Sequence, residues 1–383
     1  MGGGSQTHKA RDHKAIAVPV LSDYVRVAKR RKGMLIRGRV PLRLSFSGGG
    51  TDVPPFCNDH GGCVLSITIN MYAYATVEER DDNVVNIRSL DYDSSVRYDI
   101  RKELSMDGKL DLIKAAANYM CHDRGFNLFI HNDAPPGSGL GSSGCIGAMM
   151  IGLFGDINSL RLSRDEIAEK AIIVERQLLG VSGGRQDQYA AVYGGCNYME
   201  FYNDRNIVYQ LRLDRSIVLE LEYHLLLVWT KKKHYSSDLI DEQVKLYKEG
   251  NKTSVAGLFE LKELTNQMKE ALVCGDLNRL GGLMHDAWVS KKKINPRATT
   301  PQIDEMYEEA RKLGALGGKI LGAGGGGYLV LFCPFYRKDL IAKRVQEMGG
   351  VVVNFGFEEH GLDIWRVNKD KLGGRSEGYM LSE

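Results

Sequence analysis

A chain of 383 residues that is 43% hydrophobic can bury a large core and is expected to form two domains or two intimately joined halves. No apolar run approaches the roughly 20 residues needed to cross a bilayer, and no hydrophobic stretch follows the N-terminal charges, so membrane partners and secretion are not expected and the chain reads as cytoplasmic. Seven cysteines, odd in number and without a C-x-x-C pair, argue for reduced thiols and against a zinc module.

Charge is uneven along the chain. Residues 1–33 carry eight Lys or Arg against two Asp, a balance of +6, while the remaining 350 carry 43 basic and 46 acidic residues, a balance of −3. The basic run 25–32 (VRVAKRRK) is read as part of a solvated flexible extension, so no nucleic-acid partner is expected. Strand-like segments then follow at 34–39, 64–69, 72–79 and 84–89.

Residues 135–144 read Pro-Pro-Gly-Ser-Gly-Leu-Gly-Ser-Ser-Gly, between a short apolar run at 127–130 and a longer small-and-apolar run at 145–154. A glycine-rich turn that delivers the chain into a helix leaves backbone N–H groups unpaired beside the positive end of the helix dipole, which favours a phosphate. Gly139-Leu-Gly141-Ser-Ser-Gly144 also satisfies the dinucleotide pattern G-x-G-x-x-G, but residues 132–136 separate it from the preceding strand, unlike the start of a βαβ unit. Cys145, just inside the helix, is either a thiol activated by the dipole or a small buried filler.

Ser163-Arg-Asp-Glu166 is a capping box, and Gly180 is a natural stop, so 164–179 is expected as one helix. At 100° per residue Glu175 falls among Ala168, Ala171, Ile172, Leu178 and Leu179, a carboxylate in an apolar stripe. Such a group is either a buried ion pair or a metal or catalytic ligand. Asp187 then opens the next helix, 186–192, after the turn Ser182-Gly-Gly. A middle strand at 224–229, a helical stretch at about 255–293, and a helix capped by Thr300 with Pro301 at its first position and stopped by Gly314 follow. The remainder reads strand, helix, strand, strand at 328–333, 338–348, 351–357 and 364–367.

Three segments together resemble the GHMP sugar and metabolite kinases. Val40-Pro-Leu-Arg-Leu-Ser-Phe-Ser-Gly-Gly-Gly-Thr-Asp52 is similar to the first motif of that family, PPGSGLGSS (135–143) to the second and Lys319-Ile-Leu-Gly-Ala-Gly-Gly-Gly-Gly-Tyr328 to the third, and the likeness spans about residues 34–367. The resemblance implies an α+β GHMP kinase fold. An N-terminal half like ribosomal S5 domain 2 (34–214, ATP-binding) and a ferredoxin-like C-terminal half (215–383) would enclose the active site between them. RGRVPLRLSFSGGGTDVPPF (37–56) and ALGGKILGAGGGGYLVLFC (315–333) most resemble the D-glycero-D-manno-heptose 7-phosphate kinases, with fucokinases next.

Carried over by position, the resemblance implies that Asp187 accepts the proton of the attacking sugar hydroxyl and that Arg43 lies beside it and the γ-phosphate. ATP would be held by Pro136, Gly137, Ser138, Gly139, Leu140, Gly141, Ser142 and Ser143. Mg²⁺ would be held by Ser142, with Ser143 as the alternative, and by Glu175. The sugar would meet Gly49, Gly50, Thr51, Asp52, Gly183, Gly184, Arg185, Gly324 and Gly325. Galactokinases carry Gly-Glu-His before the Thr-Asp pair; this chain has Gly48-Gly49-Gly50, which is expected to leave room for a larger sugar. The phosphate of such a sugar would need a cation, with Arg185, Lys319 and the run Lys291-Lys-Lys293 as candidates. The expected function is ATP-dependent phosphorylation of the C1 hydroxyl of D-glycero-D-manno-heptose 7-phosphate, for nucleotide-activated heptose. A hexose 1-kinase is the alternative, followed by a dinucleotide-dependent oxidoreductase and a non-catalytic binding protein of the same fold. The sequence leaves the oligomeric state open.

Overall fold

The computed structural model describes residues 34–91, 94–102, 106–120, 124–232 and 236–369; the basic extension expected at 1–33 lies outside the described residues. In chain order the first half runs β1 (Met34–Ser47), α1 (Phe56–His60), β2 (Gly62–Glu79), β3 (Val84–Ser89), β4 (Ser94–Asp99), α2 (Asp111–Met120), β5 (Phe126–Asn132), α3 (Ser142–Ile157), α4 (Arg164–Ile172), α5 (Gln186–Tyr193), β6 (Cys196–Phe201) and β7 (Asn206–Gln210). The second runs α6 (Arg215–His224), β8 (Leu225–Trp229), α7 (Ser236–Lys248), α8 (Lys252–Val273), α9 (Leu277–Ile294), α10 (Pro301–Lys312), β9 (Gly317–Ile320), β10 (Tyr328–Phe332), α11 (Phe335–Glu347), β11 (Val351–Val353) and β12 (Asp363–Asn368).

β1 and β2 are the antiparallel spine of an eight-stranded sheet ordered β12-β1-β2-β5-β3-β4, with β6 paired to β2 and β7 to β6. Burial alternates along the first residues of β1 and then becomes continuous from Val40 to Ser47. A strand buried on both faces cannot be recognised by alternation. For this reason the expected strand stops at 39, whereas β1 runs on to Ser47 and carries Arg43 into the interior. The two strands expected at 64–69 and 72–79 are one strand with an irregularity at residues 70–71, where the register to β1 shifts between Leu42↔Ile69 and Pro41↔Tyr72; Asn70 there exchanges hydrogen bonds with Gly356, N–H to Gly356 O (2.9 Å) and Oδ1 from Gly356 N–H (2.8 Å).

The second sheet is antiparallel, ordered β11-β8-β10-β9. The expected helical stretch 255–293 is two helices, α8 and α9, separated by a turn at Cys274-Gly275, where Gly275 takes φ 73°. Thr300 caps α10 through its side chain, and Pro301 is the first helical residue, as the sequence suggests. The closing strand β12 pairs with β1, which returns the end of the chain to the first sheet. α3, α5, α8 and α9 all pack on β1, so the strand bearing Arg43 is enclosed by helices from both halves of the chain.

Candidate active site

Between β5 and α3 the glycine-rich turn needs backbone only glycine adopts cheaply: Gly137, Gly139 and Gly141 have φ of 72°, 82° and 79°. Gly141 is the N-cap of α3 and supplies no side-chain cap, which leaves the first N–H groups of that helix for a ligand. The second glycine-rich segment braces this loop from behind. Tyr328 N–H donates to Ser138 O (3.0 Å), and a Cβ on Gly139 would stand 2.4 Å from Leu321 O, one on Gly327 2.3 Å from Ser138 O. Gly322 and Ala323 reach the cavity in front of the loop. Gly324 and Gly325, expected against the sugar, do not: Gly325 N–H donates to Ala298 O (2.7 Å), and a Cβ on Gly324 would meet the same carbonyl at 2.4 Å. Leu140, expected at the nucleotide, is fully buried in the core, and its carbonyl accepts the Arg43 N–H at 3.2 Å.

The cavity has a volume of about 310 Å³, and its wall includes Pro136 to Gly139, Gly141 to Ser143, Arg43, Asp187 and Glu175. Arg43, 3% exposed, places Nε and a terminal nitrogen 2.8 and 2.7 Å from Asp187 Oδ1 and donates to Gly139 O at 2.6 Å. The first turn of α5 holds Asp187 tightly to the loop. A Cβ on Gly141 would lie 3.1 Å from Asp187 Cγ, and one on Gly144 2.5 Å from Asp187 Cβ. The expected pair of Asp187 and Arg43 is therefore assembled next to the glycine-rich loop.

The helix expected at 164–179 starts with the capping box of Ser163 and Glu166, but turns π-helical over Ile173–Leu178. The wider turn interrupts the 3.6-residue period at the position of Glu175. Glu175 is 3% exposed; Ser143 Oγ donates to Oε1 at 2.5 Å, Gln188 Nε2 donates to Oε2 at 2.6 Å, and Arg176 stands 3.4 Å from Oε2. Ser142 Oγ is buried with no hydrogen-bond partner, so the two serines divide their tasks: Ser143 steadies the carboxylate and Ser142 is left free. Cys145 is a buried filler; its thiol donates to Pro41 O at 3.4 Å, and burial pushes its pKa up.

At the other end, Asp52 is fully buried and accepts from Gly50 N (2.9 Å), Arg185 N (2.9 Å), Gln186 N (3.1 Å) and Gln186 Nε2 (3.2 Å). Gly184 has to be glycine because a Cβ there would lie 1.9 Å from Asp52 Oδ2, and one on Gly183 would strike the Arg176 guanidinium at 2.3 Å. Gly49, Gly50, Asp52, Gly183 and Gly184 line the cavity. Thr51 does not; its hydroxyl closes the turn on Gly48 O and Cys63 O. Arg185 turns its guanidinium to Tyr202 O, Asn206 and Asn58, beside a second cavity. Sequence reasoning missed Gln186 and Gln243, uncharged side chains with no motif to mark them, which line the same wall.

Of the candidate lysines only Lys291 reaches the cavity. It is 6% exposed, donates to Gly49 O at 2.9 Å, and burial presses its pKa from the usual 10.5 to about 8. Lys292 and Lys293 pair instead with Asp304 (3.2 Å) and Glu260 (2.8 Å). Lys319, 5% exposed, donates to Ser45 O at 2.9 Å; burial, with Lys291 and Arg43 nearby, presses its pKa to about 7.

The GHMP kinases N terminal domain model matches residues 111–195, and the GHMP kinases C terminal model matches residues 268–350. A Campylobacter jejuni protein named D-glycero-alpha-D-manno-heptose 7-phosphate kinase is 36% identical over 338 residues, which cover 87% of this chain and 99% of that protein. The chain belongs to the GHMP kinases. A crystal structure described as a D-glycero-D-manno-heptose 1-phosphate kinase from Bacteroides thetaiotaomicron superposes with a TM-score of 0.73 at 32% identity, covering 87% of this chain and 99% of that one. Lactococcus lactis galactokinase in complex with galactose shares the fold at TM-score 0.68 and 20% identity, over 86% and 95% of the two chains. This GHMP kinase is accordingly a sugar kinase, an ATP-binding phosphotransferase, and the oxidoreductase reading is set aside. Among the described residues no helix is long and apolar enough to cross a membrane.

Proposed function

We propose that this kinase transfers the γ-phosphoryl group of ATP to the C1 hydroxyl of D-glycero-D-manno-heptose 7-phosphate, giving the 1,7-bisphosphate used for nucleotide-activated heptose. The observation that carries phosphoryl transfer is the Arg43–Asp187 pair, closed at 2.7–2.8 Å against the glycine-rich loop. The substrate assignment is supported by likeness to the Campylobacter jejuni heptose 7-phosphate kinase over nearly its whole length.

In this reading the N–H groups of the loop and of the first turn of α3 hold the ATP phosphates. Arg43, donating to Asp187 Oδ1 on one side, holds its charge near the γ-phosphate, where negative charge collects on the equatorial oxygens of a loose transition state. The sugar oxygen bonds to the γ-phosphorus as the bond to the β–γ bridging oxygen breaks, and the hydroxyl proton passes to Asp187. Since Arg43 occupies Oδ1, Oδ2 is the accepting oxygen. Ser142 Oγ, buried without a protein partner, and the Glu175 carboxylate fit Mg²⁺, which takes one or two hard oxygens from protein. Bound there, the ion would offset phosphate charge.

ATP consumption measured over a panel of heptose 7-phosphate, the unphosphorylated heptose, fucose, galactose and mannose tests the assignment, with phosphorus NMR locating the new ester. Heptose 7-phosphate is expected to be the best acceptor, with the ester at C1. Turnover of hexoses without turnover of heptose 7-phosphate would replace this reading with the hexose 1-kinase alternative.

A further inference from the structure

Among the described residues the cavity wall carries three cations, Arg43, Arg176 and Lys291; Arg43 serves the transfer and Arg176 faces Glu175 and the Gly184 carbonyl, which leaves Lys291 without an anionic partner. Its ammonium is more than nine-tenths buried, and its hydrogen bond goes to a neutral carbonyl, Gly49 O at 2.9 Å. Among the described residues it forms no ion pair, whereas Lys292 and Lys293, its neighbours on α9, both do. Asp52, the acid nearest in this network, has both oxygens occupied by N–H donors from Gly50, Arg185 and Gln186. A buried ammonium with donors to spare is costly unless an anion meets it, and burial already weakens its hold on the proton.

The contacts of Lys291 are with the Gly49–Gly50 turn beside Asp52 and not with the glycine-rich loop at 135–144. From the loop, Gly139 O leads to Arg43, Arg43 to Asp187, the adjoining Gln186 to Asp52, Asp52 to Gly50, and Gly50 to Lys291. Arg43 and Asp187 touch the nucleotide loop, and Lys291 is joined to them only through the Asp52 turn. An anion meeting Lys291 belongs to the acceptor, at the end away from the attacked hydroxyl. Resting on the sugar-kinase reading above, we propose that Lys291 is the specificity residue that binds the distal phosphate of a phosphorylated sugar acceptor. Gln243 stands beside it: a Cβ on Gly50 would lie 2.8 Å from Gln243 Oε1 and 2.9 Å from Lys291 Nζ, and Gln243 Nε2 donates to Gly50 O at 2.8 Å. Lys319 lies behind it, off the cavity wall; burial and the nearby Lys291 and Arg43 loosen its proton, and an anion held at Lys291 would favour its protonated form. This suits a dianion better than a neutral hydroxyl.

The test compares kcat/KM for heptose 7-phosphate and for the same heptose without phosphate, in wild type and Lys291→Met, at saturating ATP. A buried charge-assisted hydrogen bond supports a fall of about 10²-fold in the preference for the phosphorylated sugar, read mainly in its KM. The KM for ATP should stay within about 2-fold, and Lys291→Arg should restore most of the preference. Equal losses on both sugars, or a change confined to ATP, overturn the assignment. Should Lys291→Met not fold, Gln243→Glu places a carboxylate beside the ammonium and should abolish the preference; a preference that survives in folded Gln243→Glu refutes it. Wild-type enzyme inactive on both heptoses would instead refute the substrate reading. The same paired comparison is then made with whichever sugar the panel identifies and its phosphate ester, and preference for the unphosphorylated member overturns the role of Lys291.

Discussion

Asp187→Asn isolates the proposed proton acceptor from the architecture around it. Asparagine keeps the size of the side chain, so the glycines that admit Asp187 at 2.5–3.1 Å, Gly144 and Gly141, are undisturbed. Its amide oxygen can still accept from Arg43 Nε, now at 2.8 Å from Asp187 Oδ1. What is lost is the charge facing Arg43 and the basic oxygen. Loss of a general base should lower kcat by about 10² to 10⁴, with a much smaller effect on the KM for ATP, whose phosphates the proposal assigns to the loop. Arg43, 3% exposed, is left without a counter-ion, while Asp187 keeps 23% of its side chain in solvent. The stability cost should therefore be about 1–3 kcal/mol, below the ~3–5 of a fully buried pair. Arg43→Ala should cost about 10³ to 10⁵ in rate, and because the two groups touch, the double variant should be less impaired than the product of the singles. Steady-state kinetics on folded, purified protein decide the matter. Full activity of Asp187→Asn would refute the assigned base and return the reaction to positioning alone.

Replacing Glu175 by Gln keeps the hydrogen bonds from Ser143 or Gln188 only in part and removes the charge, so the variant should need more Mg²⁺ for half-maximal rate while its Tm falls by only a few degrees; an unfolded variant, or an unchanged Mg²⁺ requirement, would mark Glu175 as structural. The ligand-free protein should become more stable as pH rises from 7 to about 9. Lys319 and Lys291 have folded pKa values of about 7 and 8 against 10.5 when free, so the unfolded chain binds more protons across this window and raising pH favours the fold. Buried Cys and Tyr groups, with raised pKa values, push the other way near the top of the window, so the quantity to measure is the difference in Tm between wild type and Lys319→Met, which should narrow or turn over in favour of wild type with pH; a difference independent of pH would refute the buried-lysine account.

How much of this was legible in the sequence depends on whether a feature is local. The capping box at Ser163, the Thr300–Pro301 start of α10 and the glycine-rich loop are written within a few neighbouring residues, and each is found where it was expected. β1 beyond Arg39 was not legible, because burial on both faces removes the alternation that marks a strand. β12 reads as a strand, but its partner β1 lies more than three hundred residues away, and no local signal names it. The π-helical turn at Ile173–Leu178 was equally hidden, since its sequence continues a regular helix and only the demands of Ser143, Gln188 and the cavity reveal the added residue.

The glycines show where chemical reading of a motif goes astray. Gly48-Gly49-Gly50 looks like space cleared for a bulky sugar, yet a Cβ on Gly48 would lie 1.9 Å from Cys63 O, so that position is fixed by the approach of β2 whatever the substrate. A Cβ on Gly50 would collide with Gln243 and Lys291, which means the cleared space is already filled by the protein's own side chains. Gly324 likewise presses on Ala298, and Gly327 on Ser138, so much of the third glycine-rich segment serves to brace the loop. Absent side chains here admit backbone, an amide and a buried ammonium. On the proposal for Lys291, a sugar that enters this cavity meets that amide and ammonium beside the glycine turn, and the charge it carries is expected to decide how well it is held.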